Sequence, residues 1–270
     1  MRLIDGRAIA AGITARVAAG VAALGRAPVL AVVVPTADEA TAWYVRSIER
    51  AAGRVRIECR VVRPAPGDLR STLAALSAEP AVDGVMCQAP LPSGVTLADA
   101  GALIDPAKDV DGANPTSLGR LAAGLPCFAP ATAAAVLEIL RHERVPLAGA
   151  RAVVVGRSTV VGKPAALLLL AEHATVTVCH SRTADLAAEC ARARVLVAAV
   201  GRAHLLGADH IAPGATVIDV GTNPGPDGAL LGDVDPSGAD HAAALTPVPG
   251  GVGPVTTALL LRHTLAAAGH

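Results

Sequence analysis

Ala152-Val-Val-Val-Gly156-Arg157-Ser158-Thr-Val-Val-Gly162-Lys163-Pro164 is the stretch that decides the fold of this 270-residue chain. A run of β-branched residues ends on a glycine, and a second glycine and a proline then open an Ala/Leu-rich segment. This pattern predicts a buried parallel strand, a tight turn and the first turn of a helix. The backbone N–H groups and the helix dipole at such a turn favour an anion beyond the end of the strand.

The spacing of this turn matches neither standard phosphate-binding fingerprint. Five residues separate Gly156 from Gly162 where a Walker loop has four, and Pro164 stands where that loop needs Ser or Thr. The dinucleotide fingerprint G-x-G-x-x-G is also absent. From the residues alone, a nucleotide-binding loop and a purely structural turn both stay open.

Composition and charge narrow the class of protein. Hydrophobic residues make up 52% of the chain and aromatic residues 1%, so the core must consist of small aliphatic side chains, as in helices packed on parallel strands. The net charge is zero and no basic stripe stands out, so we expect neither nucleic acid nor an anionic membrane as the main partner. A chain of 270 residues favours two domains.

The sequence also bears on compartment and metal content. No stretch reaches the roughly 20 unbroken apolar residues of a membrane span, and the segment 1–6 does not read as a secretory leader. The five cysteines are scattered and lack C-x-x-C spacing, and the eight histidines form no H-x-x-x-H pair. We therefore expect a cytoplasmic protein with reduced cysteines and no metal site.

Strand-like apolar runs alternate with helical stretches, which predicts βαβ units and a mostly parallel sheet. The predicted strands are Val29–Val34, Val55–Val62, Asp83–Cys87, Ala152–Val155, Thr175–Cys179, Val195–Val200 and Thr216–Val220. The predicted helices are Glu39–Ala52, Asp68–Ala78, Ala131–His142, Val161–Ala171 and Thr183–Ala191. Asp38 and Thr183 are the expected N-caps of two of these helices.

Clusters of Asp, Pro and Gly between Ile104 and Pro130 break this alternation and predict a domain junction. We place the first domain at residues 1–125 and the second at residues 126–253. A second Gly/Pro cluster, Thr246–Pro254, precedes a final Leu-rich helix. This helix, residues 254–270, is expected to return to the first domain.

Several separated motifs occur along the chain in a fixed order. They are Ile4-Asp-Gly-Arg-Ala-Ile, Trp43-Tyr44-Val45, Asp83-Gly-Val-Met-Cys-Gln88-Ala-Pro90-Leu-Pro92, Lys108-Asp-Val-Asp111-Gly112, Gly156-Arg-Ser, His180-Ser181-Arg182-Thr183, Ile218-Asp-Val-Gly-Thr-Asn223 and Pro247-Val-Pro-Gly-Gly-Val-Gly-Pro254. Over essentially the whole chain they resemble the methylenetetrahydrofolate dehydrogenase/cyclohydrolase family.

The resemblance implies a two-lobed α/β fold. An N-terminal folate-binding domain would precede a C-terminal Rossmann-like NADP-binding domain, with a cleft between them and usually a homodimer. The family oxidises 5,10-methylenetetrahydrofolate with NADP and then hydrolyses the methenyl product to 10-formyltetrahydrofolate.

The resemblance also assigns the folate-binding residues. Tyr44 would stack on the aminobenzoyl ring, and Gln88 and Asp111 would orient the reacting carbon and the pterin. The remaining substrate contacts would be Pro90, Leu91, Pro249, Gly250 and Gly251. Structural readings stay open: Tyr44 as a surface helix residue, Gln88 as a partner of backbone groups, and Asp111 as an Asx-turn residue, as Asp109 would be.

For the cofactor, the resemblance assigns the phosphates to Gly156, Arg157, Ser158 and Gly162, and the nicotinamide end to Thr222. Arg157 and Ser181 would receive the 2′-phosphate, which suits a guanidinium and a hydroxyl. Arg182 would join them or serve only as surface charge. The second strand of this domain ends in Cys179-His-Ser-Arg182 without an acidic residue for the 2′-OH, so we expect NADP over NAD.

One departure from the family motif concerns its catalytic lysine. The family has Tyr, three residues and then lysine, whereas this chain has Tyr44-Val-Arg-Ser-Ile48. Residues four apart share one face of a helix, so Ile48 stands where an ammonium is expected. Lys108 and Lys163 are the only lysines in the sequence, and both match other motifs.

This departure separates the two family activities. Oxidation of the methylene carbon depends mainly on placement, whereas cyclohydrolysis needs a proton shuttle, whose loss costs about 10²- to 10⁴-fold. We therefore expect an NADP-dependent dehydrogenase with a weak or absent cyclohydrolase step. The alternatives are a paralogue that transfers the one-carbon unit to another nucleophile, and a non-catalytic folate- or nucleotide-binding protein.

Overall fold

The computed structural model describes residues 1–37 and 39–269, so the predicted N-cap Asp38 lies outside the described residues. The chain divides into two compact units. We call residues 11–131 together with the chain from Thr257 onward the three-stranded unit. Residues 1–10 together with 132–256 form the six-stranded unit.

The three-stranded unit is a parallel sheet covered by helices. Its strands are β2 (Val29–Val33), β3 (Glu58–Val62) and β4 (Gly84–Cys87), in the order β3-β2-β4. Its helices are α2 (Glu39–Arg54), α3 (Leu69–Ala78), α4 (Leu97–Gly101) and α5 (Pro115–Ala122), with most of α1 (Gly6–Leu24) and α9 (Val252–Ala268). The central strand β2 is buried along its whole length, as expected for a parallel strand covered on both faces.

Two observations show how helices cover this sheet. Val29, Ala31 and Val33 of β2 share a hydrophobic cluster with leucines of α3. In β4, a Cβ at Gly84 would lie 3.3 Å from the hydroxyl of Thr264 on α9. The C-terminal helix therefore packs directly on β4, which confirms its predicted return to the first domain.

The six-stranded unit is a doubly wound parallel sheet. Its helices are α6 (Ala131–His142), α7 (Gly162–Ala171) and α8 (Leu186–Cys190), and its strands are β1 (Arg2–Leu3), β5 (Arg151–Val155), β6 (Thr175–Cys179), β7 (Val195–Ala198), β8 (Thr216–Asp219) and β11 (Ala244–Leu245). The order is β1-β11-β8-β7-β5-β6, and β9 (Asn223–Pro224) pairs with β10 (Leu230–Leu231) in a separate ribbon. Because β6 and β7 lie on opposite sides of β5, the strand order reverses at β5, which is where such sheets bind ligands.

The first residues of the chain lie in a different unit from the one predicted. The sequence placed residues 1–125 in one domain, but β1 pairs in parallel with β11 at the edge of the six-stranded sheet. A two-residue strand has no periodicity, so only tertiary pairing decides its partner. The other boundaries fall at residue 131 and at Thr257, not at 125 and 254.

The start of α8 also differs from its prediction. The helix begins at Leu186, where the Asp185 carboxylate caps it by accepting the N–H of Ala188. The hydroxyl of Thr183, the predicted cap, instead accepts the N–H of His180 at 2.9 Å. Thr and Asp are both favoured N-caps, but the Thr183 hydroxyl is already bonded within the turn after β6, so the cap falls to Asp185.

Helix α1 meets the length and composition of a membrane-spanning helix, although two arginines interrupt its apolar residues. The helix cores of soluble proteins and secretory signals near an N-terminus pass the same test. In the three-stranded unit α1 packs closely on α9, since a Cβ at Gly20 would lie 2.4 Å from the Leu265 side chain.

Candidate active site

One face of α2 holds Tyr44, a folate-binding candidate, and Ile48, which replaces the lysine of the family motif. Thr41, Tyr44 and Ile48 follow one another at helical spacing. The hydroxyl of Thr41 donates to the carbonyl of Ala89 at 3.1 Å, and the Tyr44 side chain hydrogen-bonds to that of Thr257 on α9. This face is therefore connected both to the segment after β4 and to the C-terminal helix.

The Tyr44 side chain lies half-buried in a site that disfavours its charged form. Burial raises the pKa of its phenol above the usual value, the negative charge of Asp111 raises it further, and the hydrogen bond from Thr257 acts in the opposite direction. Tyr44 is thus a neutral ring near neutral pH. It is suited to stacking and hydrogen bonding, and not to acting as an anion.

The carboxyl group of Asp111 has a pKa close to neutral pH. Burial raises its pKa to about 7, with a smaller contribution from the negative charge of Asp109. Burial also raises the pKa of the Cys87 thiol to about 11, and the charge of Asp111 adds to that shift. These electrostatic interactions place Tyr44, Cys87 and Asp111 near one another.

The loop that carries Asp111 is organised by Asp109. The Asp109 carboxylate is fully buried and accepts the N–H groups of Ala113 at 3.0 Å and Asn114 at 2.7 Å. Next to Asp111, Gly112 has φ +68°, and a Cβ there would lie 2.4 Å from the nitrogen of Pro130. The sequence left open that Asp111 is a turn-forming residue, and in this loop Asp109 forms these turn hydrogen bonds.

Gln88, Pro90 and Leu91 follow β4 in a loop that is held at several points. The N–H of Gln88 donates to the carbonyl of Val33 at 2.8 Å, which extends the sheet by one residue. The Ala89–Pro90 peptide bond is cis, and the hydroxyl of Thr36 donates to the carbonyl of Pro90 at 2.8 Å. The half-buried Gln88 side chain thus stands at the carboxyl end of β4, an edge strand of the three-stranded sheet.

Ile48 lies one turn after Tyr44, and its side chain is 0% exposed. Its position on the Tyr44 face agrees with the helical spacing in the sequence. Complete burial was not predicted, because the sequence shows the face of a helix but not the elements that cover it. An ammonium at this position would be surrounded by protein.

Helix α9 is also hydrogen-bonded to the residue before Asp111. His263 Nδ1 donates to the carbonyl of Val110 at 2.8 Å, and the ring stands 5.1 Å from that of Phe128. Burial lowers the pKa of His263 to about 4, so the imidazole is neutral. Sequence reasoning missed Thr41, Thr257 and His263, because their partners are far apart along the chain.

The glycine turn of the six-stranded unit forms a close-packed cradle. Gly156 has φ +126°, and a Cβ there would lie 2.1 Å from the carbonyl oxygen of Ala199. A Cβ at Gly162 would lie 2.2 Å from the carbonyl oxygen of Gly156. Ser158 Oγ accepts the N–H of Val161 at 3.2 Å, ahead of α7. Gly162 is therefore required for the start of α7 to meet the end of β5, and Gly156 for the approach of the loop after β7.

Arg157, Ser181, Arg182 and Thr222 are exposed side chains of loops in this unit. Arg157 lies two residues after β5, and Ser181 lies two residues after β6. Because β5 and β6 are parallel neighbours, both loops leave the same edge of the sheet. The structure therefore brings the two expected 2′-phosphate ligands to adjacent strand ends.

Pro249, Gly250 and Gly251 also belong to the six-stranded unit, in a turn packed against the start of α1. The N–H of Gly251 donates to the carbonyl of Pro247 at 2.8 Å. A Cβ at Gly6 would lie 1.8 Å from the carbonyl oxygen of Gly251. Glycine at position 6 is thus required for this close approach.

All five cysteines are free. Across residues 1–37 and 39–269, no three His, Cys, Asp or Glu side chains come together in a group that could hold a metal ion.

Two family models match the chain. One is described as the catalytic domain of tetrahydrofolate dehydrogenase/cyclohydrolase and matches residues 4–111. The other is described as the NAD(P)-binding domain of the same family and matches residues 130–270.

Similar proteins and structures cover nearly the whole chain. A bifunctional protein FolD from Parafrankia is 62% identical over 100% of both chains. The FolD crystal structure from Campylobacter jejuni has a TM-score of 0.95 and 34% identity, covering 100% of this chain and 99% of that one. The Trypanosoma brucei FolD structure, solved with NADP and an inhibitor, has a TM-score of 0.94 and 37% identity over 99% and 97%. These matches confirm the predicted two-domain α/β fold with a C-terminal Rossmann-like domain.

Proposed function

The chain belongs to the tetrahydrofolate dehydrogenase/cyclohydrolase family, and on that premise we propose that it oxidises 5,10-methylenetetrahydrofolate with a weak or absent cyclohydrolase step. It is an NADP-dependent methylenetetrahydrofolate dehydrogenase. The observation that carries the second half of the proposal is Ile48, a fully buried apolar side chain on the Tyr44 face of α2.

The residues of the glycine turn fit a dinucleotide. A Cβ at either Gly156 or Gly162 would overlap backbone, so at the end of β5 this turn leaves room only for glycine and lets the main chain approach closely. Arg157 and Ser181, on adjacent strand ends, supply a guanidinium and a hydroxyl for a 2′-phosphate. NADP supplies, when bound, the acceptor for the hydrogen and electron pair that leave the methylene carbon.

The residues of the three-stranded unit suit a folate. Tyr44 offers a neutral ring to the aminobenzoyl group, and Thr257 holds that ring through its hydroxyl. Asp111 accepts from the N–H donors of the pterin, which favour its ionised form. Gln88 supplies an amide at the strand end, where it orients the reacting carbon.

The two chemical steps place different demands on these residues. Oxidation is driven by the lone pair of the folate nitrogen and requires placement but no side-chain base. Hydrolysis requires water to attack the methenyl carbon while a side chain moves protons. Ile48 can neither donate nor accept a proton, and the neutral Tyr44 phenol is a weak substitute. The methenyl product is therefore expected to accumulate.

A second function, one-carbon transfer to another nucleophile, is favoured by one observation. An apolar, water-excluding side chain at position 48 would protect the one-carbon unit from hydrolysis. Against this stands the intact glycine turn with Arg157 and Ser181, which a transferase does not need.

The test mixes the purified protein with NADP and methylenetetrahydrofolate and follows NADPH and methenyltetrahydrofolate by their separate absorbances. The proposal expects both to rise together, with the methenyl signal decaying near its uncatalysed rate. Rapid decay of that signal would contradict the weak cyclohydrolase step. An absence of NADPH formation would contradict the dehydrogenase itself and favour the transferase.

We further propose that the enzyme is a cytoplasmic homodimer, as the family resemblance implies. Light scattering coupled to gel filtration distinguishes a dimer from a 26.8 kDa monomer.

A further inference from the structure

Three successive backbone N–H groups of the six-stranded unit converge on one buried carboxylate. Asp233 Oδ2 accepts the N–H of Val200 at 2.6 Å and of Gly201 at 3.1 Å, and Oδ1 accepts the N–H of Arg202 at 2.9 Å. Asn223 Nδ2 donates to Oδ1 at 2.9 Å. Asp233 is 0% exposed, so these four donors replace the water that a carboxylate needs.

The loop 199–202 lies at the point where the strand order reverses. It follows β7, which is the neighbour of β5 on the side opposite to β6. The carbonyl of Ala199 faces Gly156, at 2.1 Å from a Cβ placed there. The loop is therefore packed against the glycine turn that is expected to receive the dinucleotide.

The conformation of this loop is itself that of an anion-binding site. Gly201 has φ +66°, and successive N–H groups in such a turn form a concave nest for an anion. Here an internal carboxylate fills the nest. A pyrophosphate cannot use the same donors, so the turn at Gly156 is left to bind it.

Asp233 also connects this loop to the residues next to Thr222. Asn223 follows Thr222 directly and donates both to Asp233 and to the carbonyl of Leu231, the latter at 3.2 Å. One carboxylate thus joins the loop after β7 to the segment after β8.

We propose that Asp233 is a positioning residue for the dinucleotide: it fixes loop 200–202 and the segment at Thr222 in the arrangement that receives the cofactor. The inference rests on the proposed function only in that NADP binds to this unit. Asp233 is fully buried, so it acts through the backbone N–H groups that it binds and not by touching the dinucleotide.

The test is the variant Asp233→Asn. An asparagine has one acceptor oxygen and an NH₂ group, so it cannot accept three N–H groups and would place a donor against a donor. We expect the Kd of NADP, measured by calorimetry, to rise about tenfold or more, as expected when buried donors lose their acceptor. The Kd of NAD should rise by the same factor, because the loop does not discriminate the 2′-phosphate. Arg157→Ala, in contrast, should weaken NADP selectively.

Two further variants keep the proposal testable if Asp233→Asn is poorly folded. Asp235→Asn removes a nearby carboxylate that accepts hydrogen bonds from the N–H and hydroxyl of Ser237, and it should leave both Kd values unchanged. Gly201→Ala adds a methyl group to open space but strains the left-handed backbone of the loop, and it should weaken both dinucleotides.

Unchanged NADP binding in a folded Asp233→Asn variant, or in Gly201→Ala when Asp233→Asn does not fold, would overturn the positioning role. Failure of the unmodified protein to bind NADP would instead contradict the proposed function, so the two failures are distinguishable.

Discussion

Tyr44 and Ile48 stand one helical turn apart on α2, yet the tyrosine ring is half-buried and hydrogen-bonded while the isoleucine is sealed from solvent. The Tyr44 side chain is hydrogen-bonded to that of Thr257 on α9. The polar partner of Tyr44 therefore comes from the C-terminal helix.

Ile48→Lys should raise cyclohydrolase activity by at least about tenfold, because it restores a proton carrier next to Tyr44. Burial should lower the pKa of the new amine toward neutrality. The same burial should lower the free energy of unfolding by about 2 kcal/mol or more. Decay of methenyltetrahydrofolate and thermal unfolding measure the two effects.

Ile48→Met is the matched control, since it keeps an apolar side chain of similar size. It should leave the rate of methenyl decay unchanged. A folded Ile48→Lys variant with no gain in hydrolysis would show that the surrounding pocket differs from the family type, and it would favour the transferase alternative.

Tyr44→Ala and Asp111→Ala should each weaken folate use and leave NADP affinity nearly intact. The first removes a stacking surface, and the second removes a carboxyl from the pterin donors. Both residues lie in the three-stranded unit, whereas the glycine turn lies in the six-stranded unit. Steady-state KM for the folate and the Kd of NADP measure the effects, and loss of NADP binding by a folded variant would contradict the assignment.

Thr257→Val should raise the KM for methylenetetrahydrofolate about two- to tenfold, the worth of one net hydrogen bond. The valine keeps the shape of the threonine but removes the hydroxyl that holds the Tyr44 ring. Thr257→Ser should restore most of the affinity because it restores the hydroxyl. Equal KM values for the Val and Ser variants would mean that this hydrogen bond has no part in folate binding.

Arg157→Ala should reduce the preference for NADP over NAD by about 1.5–3 kcal/mol, which is typical of a hydrogen bond to a charged group. The ratio of kcat/KM for the two cofactors measures the preference. Arg192→Ala, the loss of another exposed arginine of the same unit, should leave that ratio unchanged. Equal ratios for the unmodified enzyme and Arg157→Ala would exclude a 2′-phosphate contact.

Asp111 should make the free energy of unfolding depend on pH. Its pKa is raised from 3.8 to about 7 in the folded protein, so between these values the native state holds a proton that the unfolded chain has lost. Stability should therefore fall as pH rises through this window, by at most about 1.4 kcal/mol per pH unit. Asp111→Asn should remove this contribution. Identical denaturation profiles for variant and unmodified protein from pH 4 to 8 would contradict it.

Much of the fold is predictable from local pattern. The β-branched run Ala152–Val155 has the length and composition of a buried parallel strand, and β5 forms over Arg151–Val155 with its last four residues buried. The Gly156 turn, the alternation of strands and helices, and the positions of Tyr44, Gln88 and Asp111 on their elements follow from spacing and motif. Each of these features depends on neighbours within a few residues, which is the range that a periodic pattern describes.

Only the tertiary structure decided which distant groups meet. Nothing near residue 44 in the sequence indicates that Thr257 is its hydrogen-bond partner. Nothing near residue 233 indicates that its carboxylate accepts the N–H groups of residues 200–202. The sequence likewise indicated neither the pairing of β1 with β11 nor the complete burial of Ile48. Such contacts satisfy buried polar groups or cover apolar faces after the elements have packed. Their partners are therefore set by proximity in space and not by spacing along the chain.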